Sequence, residues 1–151
     1  MGDNMNIGIC SDHRGYELKE ELINVLKNHG YNITDYGTYS SESVDYPNFA
    51  FMLSNGVINK DVTYGIAICG TGIGMSIACN KVKGIRCAKI DNINDAKYAK
   101  MHNNANVLAV SASKTLDEIL EMINEFNENE FSSDKKHERR IKLIEDYENE
   151  H

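Results

Sequence analysis

A thiol stands directly before a stretch of bare backbone. In "GIAICGTGIGMS" (65–76), Cys69 is followed at once by Gly70, Gly72 and Gly74, with Thr71 and Ile73 between them. Successive glycines let main-chain N–H groups converge on an anion, and a helix opening behind them adds its positive end. A cysteine at that junction should lose its proton more easily than a free thiol, and Thr71 is placed to hydrogen-bond the sulfur or a ligand. The loop is not a Walker motif, because Met75 and Ser76 stand where Lys-Ser/Thr would follow Gly74. Nor is it a dinucleotide fingerprint, since the glycines alternate as GxGxG rather than GxGxxG. A tight structural turn would use the same glycines, so the adjoining cysteine is what points to chemistry. The remaining cysteines, Cys10, Cys79 and Cys87, read as buried structural residues.

Two further groups carry polar chemistry. In "SDHRG" (11–15), Asp12 either caps a helix beginning near Gly15 or joins His13 in binding sugar hydroxyls or phosphate. In "KMHNNANV" (100–107), His102 and Asn103 stand together before an apolar run. His13, His102 and His137 are far apart in the chain, and the four cysteines form no CxxC pair, so no metal centre is expected.

These residues need elements to hold them. Apolar runs at 5–10, 31–36, 64–69, 84–90 and 106–111 read as strands. Helical patterns fill the intervals: 15–30, with Leu18, Leu22, Val25 and Leu26 as its apolar stripe; a helix opening at Pro47; then 74–82, 94–103 and 115–126. The stripe of the 115–126 helix comprises Leu116, Ile119, Leu120 and Ile123. A charged helix over about 134–150 closes the chain. The alternation predicts an α/β fold: a single-domain, doubly wound Rossmann-like sandwich with a five-stranded parallel sheet and helices on both faces. Ligands then bind at the carboxyl ends of strands, which nominates residues 10–14, 37–46, 69–74, 91 and 111–114. His102 precedes a strand and so belongs to the opposite edge. Either it is idle, or a second subunit brings it to Cys69.

The final helix allows two readings. Ile141, Ile144 and Tyr147 form an apolar stripe, while Lys135, Lys136, His137, Arg139 and Arg140 make its start basic. It is either a solvated helix packed on its own domain or an arm bringing positive charge to a neighbouring subunit.

Bulk properties narrow the function class. A chain of 151 residues suits one domain with a real core, and no internal repeat or linker divides it. No apolar run approaches the roughly 20 residues of a membrane span, and the start shows no secretory leader. Unpaired thiols suit a reducing cytoplasm. A net charge of −7 argues against a general nucleic-acid binder but is silent on small anionic substrates.

Taken together, "SDHRGYELK", "DYGTYSSESVDYP", "ICGTGIGMSIACNKVKGIR", "HNNANVLA" and "HERRI" resemble, in this order, the ribose-5-phosphate isomerase B family, which includes galactose-6-phosphate and allose-phosphate isomerases. The resemblance runs from about residue 6 to residue 147. It implies a cytoplasmic enzyme of the pentose phosphate pathway that interconverts D-ribose 5-phosphate and D-ribulose 5-phosphate. It further implies no metal or organic cofactor, and a homodimer or homotetramer whose active sites are shared between subunits. By the same resemblance Cys69 is the proton-transferring base, with Thr71 beside it, and the amides of Gly70, Gly72, Ile73 and Gly74 stabilise the enediolate. His102 of the partner opens the sugar ring. Asp12, Tyr46 and Asn103 contact the sugar, whereas His13, Lys136 and Arg140 hold the phosphate. The chain departs from the family pattern at Cys10–Ser11, at Ser113 or a shifted Lys114, where an arginine is usual, and at Lys136, also an arginine elsewhere; Arg14 or Lys114 is placed to compensate. Two alternatives stay open: a six-carbon aldose-phosphate isomerase, and a sugar-phosphate binder without catalysis.

Overall fold

The computed structural model describes residues 5–151; the first four residues, on which part of the no-leader expectation rests, lie outside it. Eleven elements follow in order: β1 (Asn6–Ser11), α1 (Tyr16–Asn28), β2 (Asn32–Asp35), α2 (Tyr46–Ile58), β3 (Tyr64–Cys69), α3 (Ile73–Cys79), β4 (Cys87–Lys89), α4 (Ile93–Met101), β5 (Val107–Ser111), α5 (Leu116–Glu128) and α6 (Lys135–Glu150). The strands form one sheet in the order β2-β1-β3-β5-β4, and every pairing is parallel.

Alternation along the strands divides the core in two. Ile7, Ile9, Ile66, Ile68, Leu108 and Val110 point to one face, where they meet Leu22 and Leu26 of α1, Ala96 and Ala99 of α4, and Ile119, Ile123 and Phe126 of α5. The other face is built from smaller residues, among them Cys10, Ala67, Cys69 and Ala109, packed under α2 and α3. There Gly8 and Gly65 lie directly beneath Leu53: an added Cβ would come within 2.8 and 2.7 Å of its Cδ1. Absent side chains on the strands therefore set how closely α2 approaches.

The chain leaves β1 towards β2 on one side and returns to β3 on the other. That reversal falls between the carboxyl ends of β1 and β3, where sheets of this kind bind ligands, and it brings the segment after Ser11 against the end of β3, the Asp12 N–H donating to the Ile68 carbonyl.

Several local expectations shift. On α1, Leu22 and Leu26 are buried and Leu18 packs partly buried against the core, while Lys19 and Ile23 join the buried face unexpectedly. Lys19 is completely buried, its ammonium 2.9 Å from both Asp35 carboxylate oxygens and from Glu20 Oε2. A charged residue on the buried face escapes a pattern of apolar residues. The strand expected at 84–90 shortens to Cys87–Lys89, because Gly84 has φ +90° and the Arg86 amide donates to the Asn106 side chain at 2.7 Å. Helix α3 ends at Cys79, short of residue 82, and the Asn80 side chain turns to clamp both backbone groups of Cys87. Cys87 itself is only half-buried, not the buried structural cysteine expected.

Helix α6 lies by the amino-terminal edge of the sheet. Glu148 accepts from the Gly84 N–H at 3.1 and 3.2 Å, and just before the helix the Ser132 N–H donates to the Met101 carbonyl. His137 and Ile141 are its buried residues. The rest of the expected stripe is not covered: Ile144 is 50% and Tyr147 65% exposed, and Leu143 stands out beside them. Among the described residues, no helix is long and apolar enough to cross a membrane.

Candidate active site

At the carboxyl edge, three strand ends converge on the glycine loop. Cys69 is the last residue of β3, in register with Ser111 of β5, and it is 4% exposed at the rim of the small-residue face. Burial pushes the neighbouring Cys10 thiol well above its ordinary range, with Cys79 and Cys69 adding to the effect. Cys10 therefore stays protonated beside Cys69.

The loop glycines are explained by what lies against them. Gly72 has φ +82°, and a Cβ there would sit 3.1 Å from the Val110 carbonyl carbon. Gly70 is covered by the Arg14 guanidinium, whose Nη1 would be 2.8 Å from an added Cβ. Gly74 is covered by the Tyr46 ring, whose Cζ would be 2.6 Å from an added Cβ. Residues from the ends of β1 and of the β2–α2 loop thus roof the backbone, and any side chain on the glycines would dislodge them. On the inner side the Ser111 hydroxyl donates to the Gly70 carbonyl at 2.7 Å and stands 2.7 Å from the Ser113 hydroxyl.

Thr71 and Ile73 are exposed at the mouth, and the Ile73 N–H donates to Thr71 Oγ1 at 3.2 Å. That amide is therefore already engaged, while the Thr71 hydroxyl keeps its own proton to donate. Asp12 is nearly buried, and its Oδ1 accepts from the amides of Arg14 and Gly15 at 3.0 Å each. The N-cap of α1 is Gly15, with no side-chain cap bond, so the expected capping role narrows to closing the turn before the helix, which commits one carboxylate oxygen. The Val44 N–H donates to His13 Nδ1 at 3.2 Å, which ties the long β2–α2 loop to the end of β1 and places the proton of a neutral ring on Nε2.

The other nominated residues gather at the opposite edge. His102 caps the carboxyl end of α4, stacked on Tyr98 and on His137. His102 and His137, remote in sequence, are thus in contact. Asn103 is exposed, and its carbonyl accepts from Arg86 Nε at 3.1 Å. The same guanidinium binds the Asn104 carbonyl through Nη2 at 2.9 Å. Arg86 staples the turn that displays His102 and Asn103, a role that sequence reading missed. Its position inside "KGIR" carries no local signal, because the carbonyls it binds belong to a turn before β5. Lys136 and Arg140 lie exposed one turn apart on α6, with the Lys136 ammonium 3.7 Å from Asp134. A cleft of about 590 Å³ beside Asn103 is lined by Arg86, Cys87, Leu143, Ile144 and Tyr147.

Within one chain the two clusters do not meet. Strand β5 spans Val107–Ser111 between the edges, about 17 Å at the usual rise per residue. Asp91, also nominated, belongs to neither cluster: it follows the edge strand β4 and pairs with Lys89 at 2.8 Å.

The family described as Ribose/Galactose Isomerase matches residues 7–144. Ribose-5-phosphate isomerase B of Escherichia coli K12 is 40% identical over 117 residues, which cover 78% of each chain. Among solved structures, ribose-5-phosphate isomerase B of Clostridium thermocellum superimposes with a TM-score of 0.93 at 42% identity, covering 97% of this chain and 99% of its own. The Mycoplasma genitalium ribose-5-phosphate isomerase B, solved with bound ribulose-5-phosphate, gives 0.91 at 40% identity, covering 98% and 99%.

Proposed function

The chain belongs to the ribose/galactose isomerase family, and from that premise we propose that it interconverts D-ribose 5-phosphate and D-ribulose 5-phosphate through an enediolate. The reading is carried by a single observation: Cys69 ends a central strand directly against a glycine loop whose backbone is kept bare by the residues roofing it. The Mycoplasma relative's bound ribulose-5-phosphate supports the five-carbon substrate.

The chemistry follows from the groups present. Furanose opening moves the proton of the C1 hydroxyl away and delivers one to the ring oxygen as the C1–O4 bond breaks, giving the free aldehyde. We assign that exchange to His102. Cys69, as thiolate, then takes the proton from C2, and charge develops on the C1 oxygen. Loop amides aimed at that oxygen are worth about 2.7–4 kcal/mol each in comparable sites. Thr71 relays the O2 hydroxyl proton to the C1 oxygen, and return of the carbon-derived proton from Cys69 to C1 completes the ketose, with C2 left as the carbonyl. A base of suitable pKa at hydrogen-bond distance contributes about 10²–10⁴-fold. The step moves a proton between adjacent carbons with no net redox change, so the proposed route uses protein groups alone.

His102 and Cys69 lie at opposite edges, so the reading requires a second copy of the chain. His102, Asn103, Lys136 and Arg140 of one subunit complete the cleft of Asp12, His13, Tyr46 and Cys69 in the other. The uncovered Leu143, Ile144 and Tyr147 support α6 acting as the intersubunit arm. Lys136 and Arg140, with His13 and Arg14, hold the phosphate, and this remote binding positions the reacting carbons. A homodimer, or a tetramer built from it, working in the cytoplasm is the assembly we infer.

The test is ribulose 5-phosphate formation by purified protein, with allose 6-phosphate as the competing substrate. Cys69→Ala should lose about 10³-fold or more in kcat while still binding ribose 5-phosphate. Near-normal turnover by that variant would remove Cys69 as the base. A kcat/KM favouring the six-carbon sugar would reassign the substrate.

A further inference from the structure

Three rings from two helices lie face to face at the amino-terminal edge. His102 stacks on Tyr98, one turn earlier in α4, with centroids 4.7 Å apart and planes inclined by 28°. On its other face lies His137 of α6, at 4.2 Å and 13°. The approach of α6 is fixed by contacts other than the stack. The Ser132 N–H donates to the carbonyl of Met101 at 2.9 Å, immediately before His102. Asp134 then caps the helix, its carboxylate accepting from the Lys136 N–H at 3.0 Å and its carbonyl from the His137 N–H at 3.1 Å. This 16-residue helix buries only two residues, and one of them is His137.

A histidine is a poor choice for burial alone, since leucine or phenylalanine would fill the space without desolvating two ring nitrogens. Its flat face is what the site uses. Stacking occupies the faces of an imidazole and leaves its edges, which carry both nitrogens, open to exchange protons. Held between two flat neighbours, the His102 ring cannot tilt, and the direction of its outward nitrogen is set.

We propose that His137 is a positioning residue for His102, holding the imidazole at the angle that ring opening needs while taking no part in proton transfer between the carbons. This rests on the ring-opening role assigned to His102 above. Electrostatics agree with it. Two imidazolium rings at this separation would repel, and burial, followed by the His102 charge, lowers the pKa of His137.

Two reactions separate positioning from general damage. Ribose 5-phosphate is a closed furanose that must open before it reacts. Ribulose 5-phosphate cannot close a furanose ring, because its C5 oxygen carries the phosphate. Exchange of its C1 hydrogen with D2O, followed by NMR, therefore needs Cys69 but not ring opening. His137→Leu fills the buried space without a flat face. It should lower kcat for ribose 5-phosphate by about tenfold to a hundredfold, the usual cost of a misplaced group, and leave C1 exchange within about twofold of the parent rate. His137→Phe, which restores the face, should recover most of the loss. Equal losses in both reactions would make His137 merely structural and overturn the proposal, as would unchanged isomerisation or a phenylalanine no better than leucine. Failure of the functional reading looks different. The parent protein would then catalyse neither reaction, or His102→Ala would show no selective loss with ribose 5-phosphate.

Discussion

Mixing chains that carry Cys69→Ala with chains that carry His102→Ala distinguishes a shared site from a private one. The geometry sets the expected magnitude. Catalytic groups must lie within about 3 Å of the atoms they serve, yet strand β5 alone, Val107–Ser111, holds the two edges apart by about 17 Å. If each site joins Cys69 of one subunit to His102 of another across a two-fold axis, a hybrid dimer contains one site with both lesions and one with neither. Equal mixing with free exchange makes about half of the dimers hybrid, so about a quarter of all sites regain full function. A private site predicts no recovery, since every chain carries one lesion. The assay is ribulose 5-phosphate formation before and after mixing, with the hybrid fraction counted by native mass spectrometry. Recovered activity should track half that fraction. Hybrids present at their statistical share without recovered turnover would refute the shared site.

Two further outcomes follow from particular contacts. Arg14→Ala removes the guanidinium that roofs Gly70, and should raise KM for ribose 5-phosphate about tenfold with little change in kcat, as for the loss of a charge-assisted contact made equally in ground and transition states; an unchanged KM would exclude Arg14 from phosphate binding. Lys19→Met leaves the Asp35 carboxylate without its ammonium partner. Asp35 is itself 31% exposed, so water softens the loss, and the expected cost is about 1–3 kcal/mol in urea unfolding; an unchanged midpoint would refute it. Burial alone would lower the Lys19 pKa, but hydrogen bonds to Glu20 and Asp35, with their charges, override it and leave it raised. A cation with a raised folded pKa contributes its stability in full below the unfolded value, 10.5, and loses it as pH climbs through the folded value. The alkaline fall in stability above that pH should therefore be smaller in Lys19→Met.

Much of this architecture is legible in the chain. Tyr64–Cys69 is found where its apolar run lies, because a strand buried on both faces must be apolar at every position. The edge strand β4 is buried less completely, and its boundary slipped, because its apolar approach is diverted by Gly84 and by Asn106. The α1 stripe was incomplete for a related reason. Lys19 is tolerable inside only because Asp35, sixteen residues away, meets it there, and periodicity carries no trace of such a partner.

The candidate site divides along the same line. By itself, the order of residue types determined that a thiol meets a bare glycine loop at a strand's end, and that His102 falls at the other edge of a parallel sheet. Both are consequences of strand direction and period, which are properties of local sequence. Only tertiary structure decided what covers the loop, that Arg86 pins the turn of Asn103 and Asn104, and that His137 lies on His102. Such contacts join segments remote along the chain. Their energy depends on where folding puts each partner in space, and no local run of residues encodes that position.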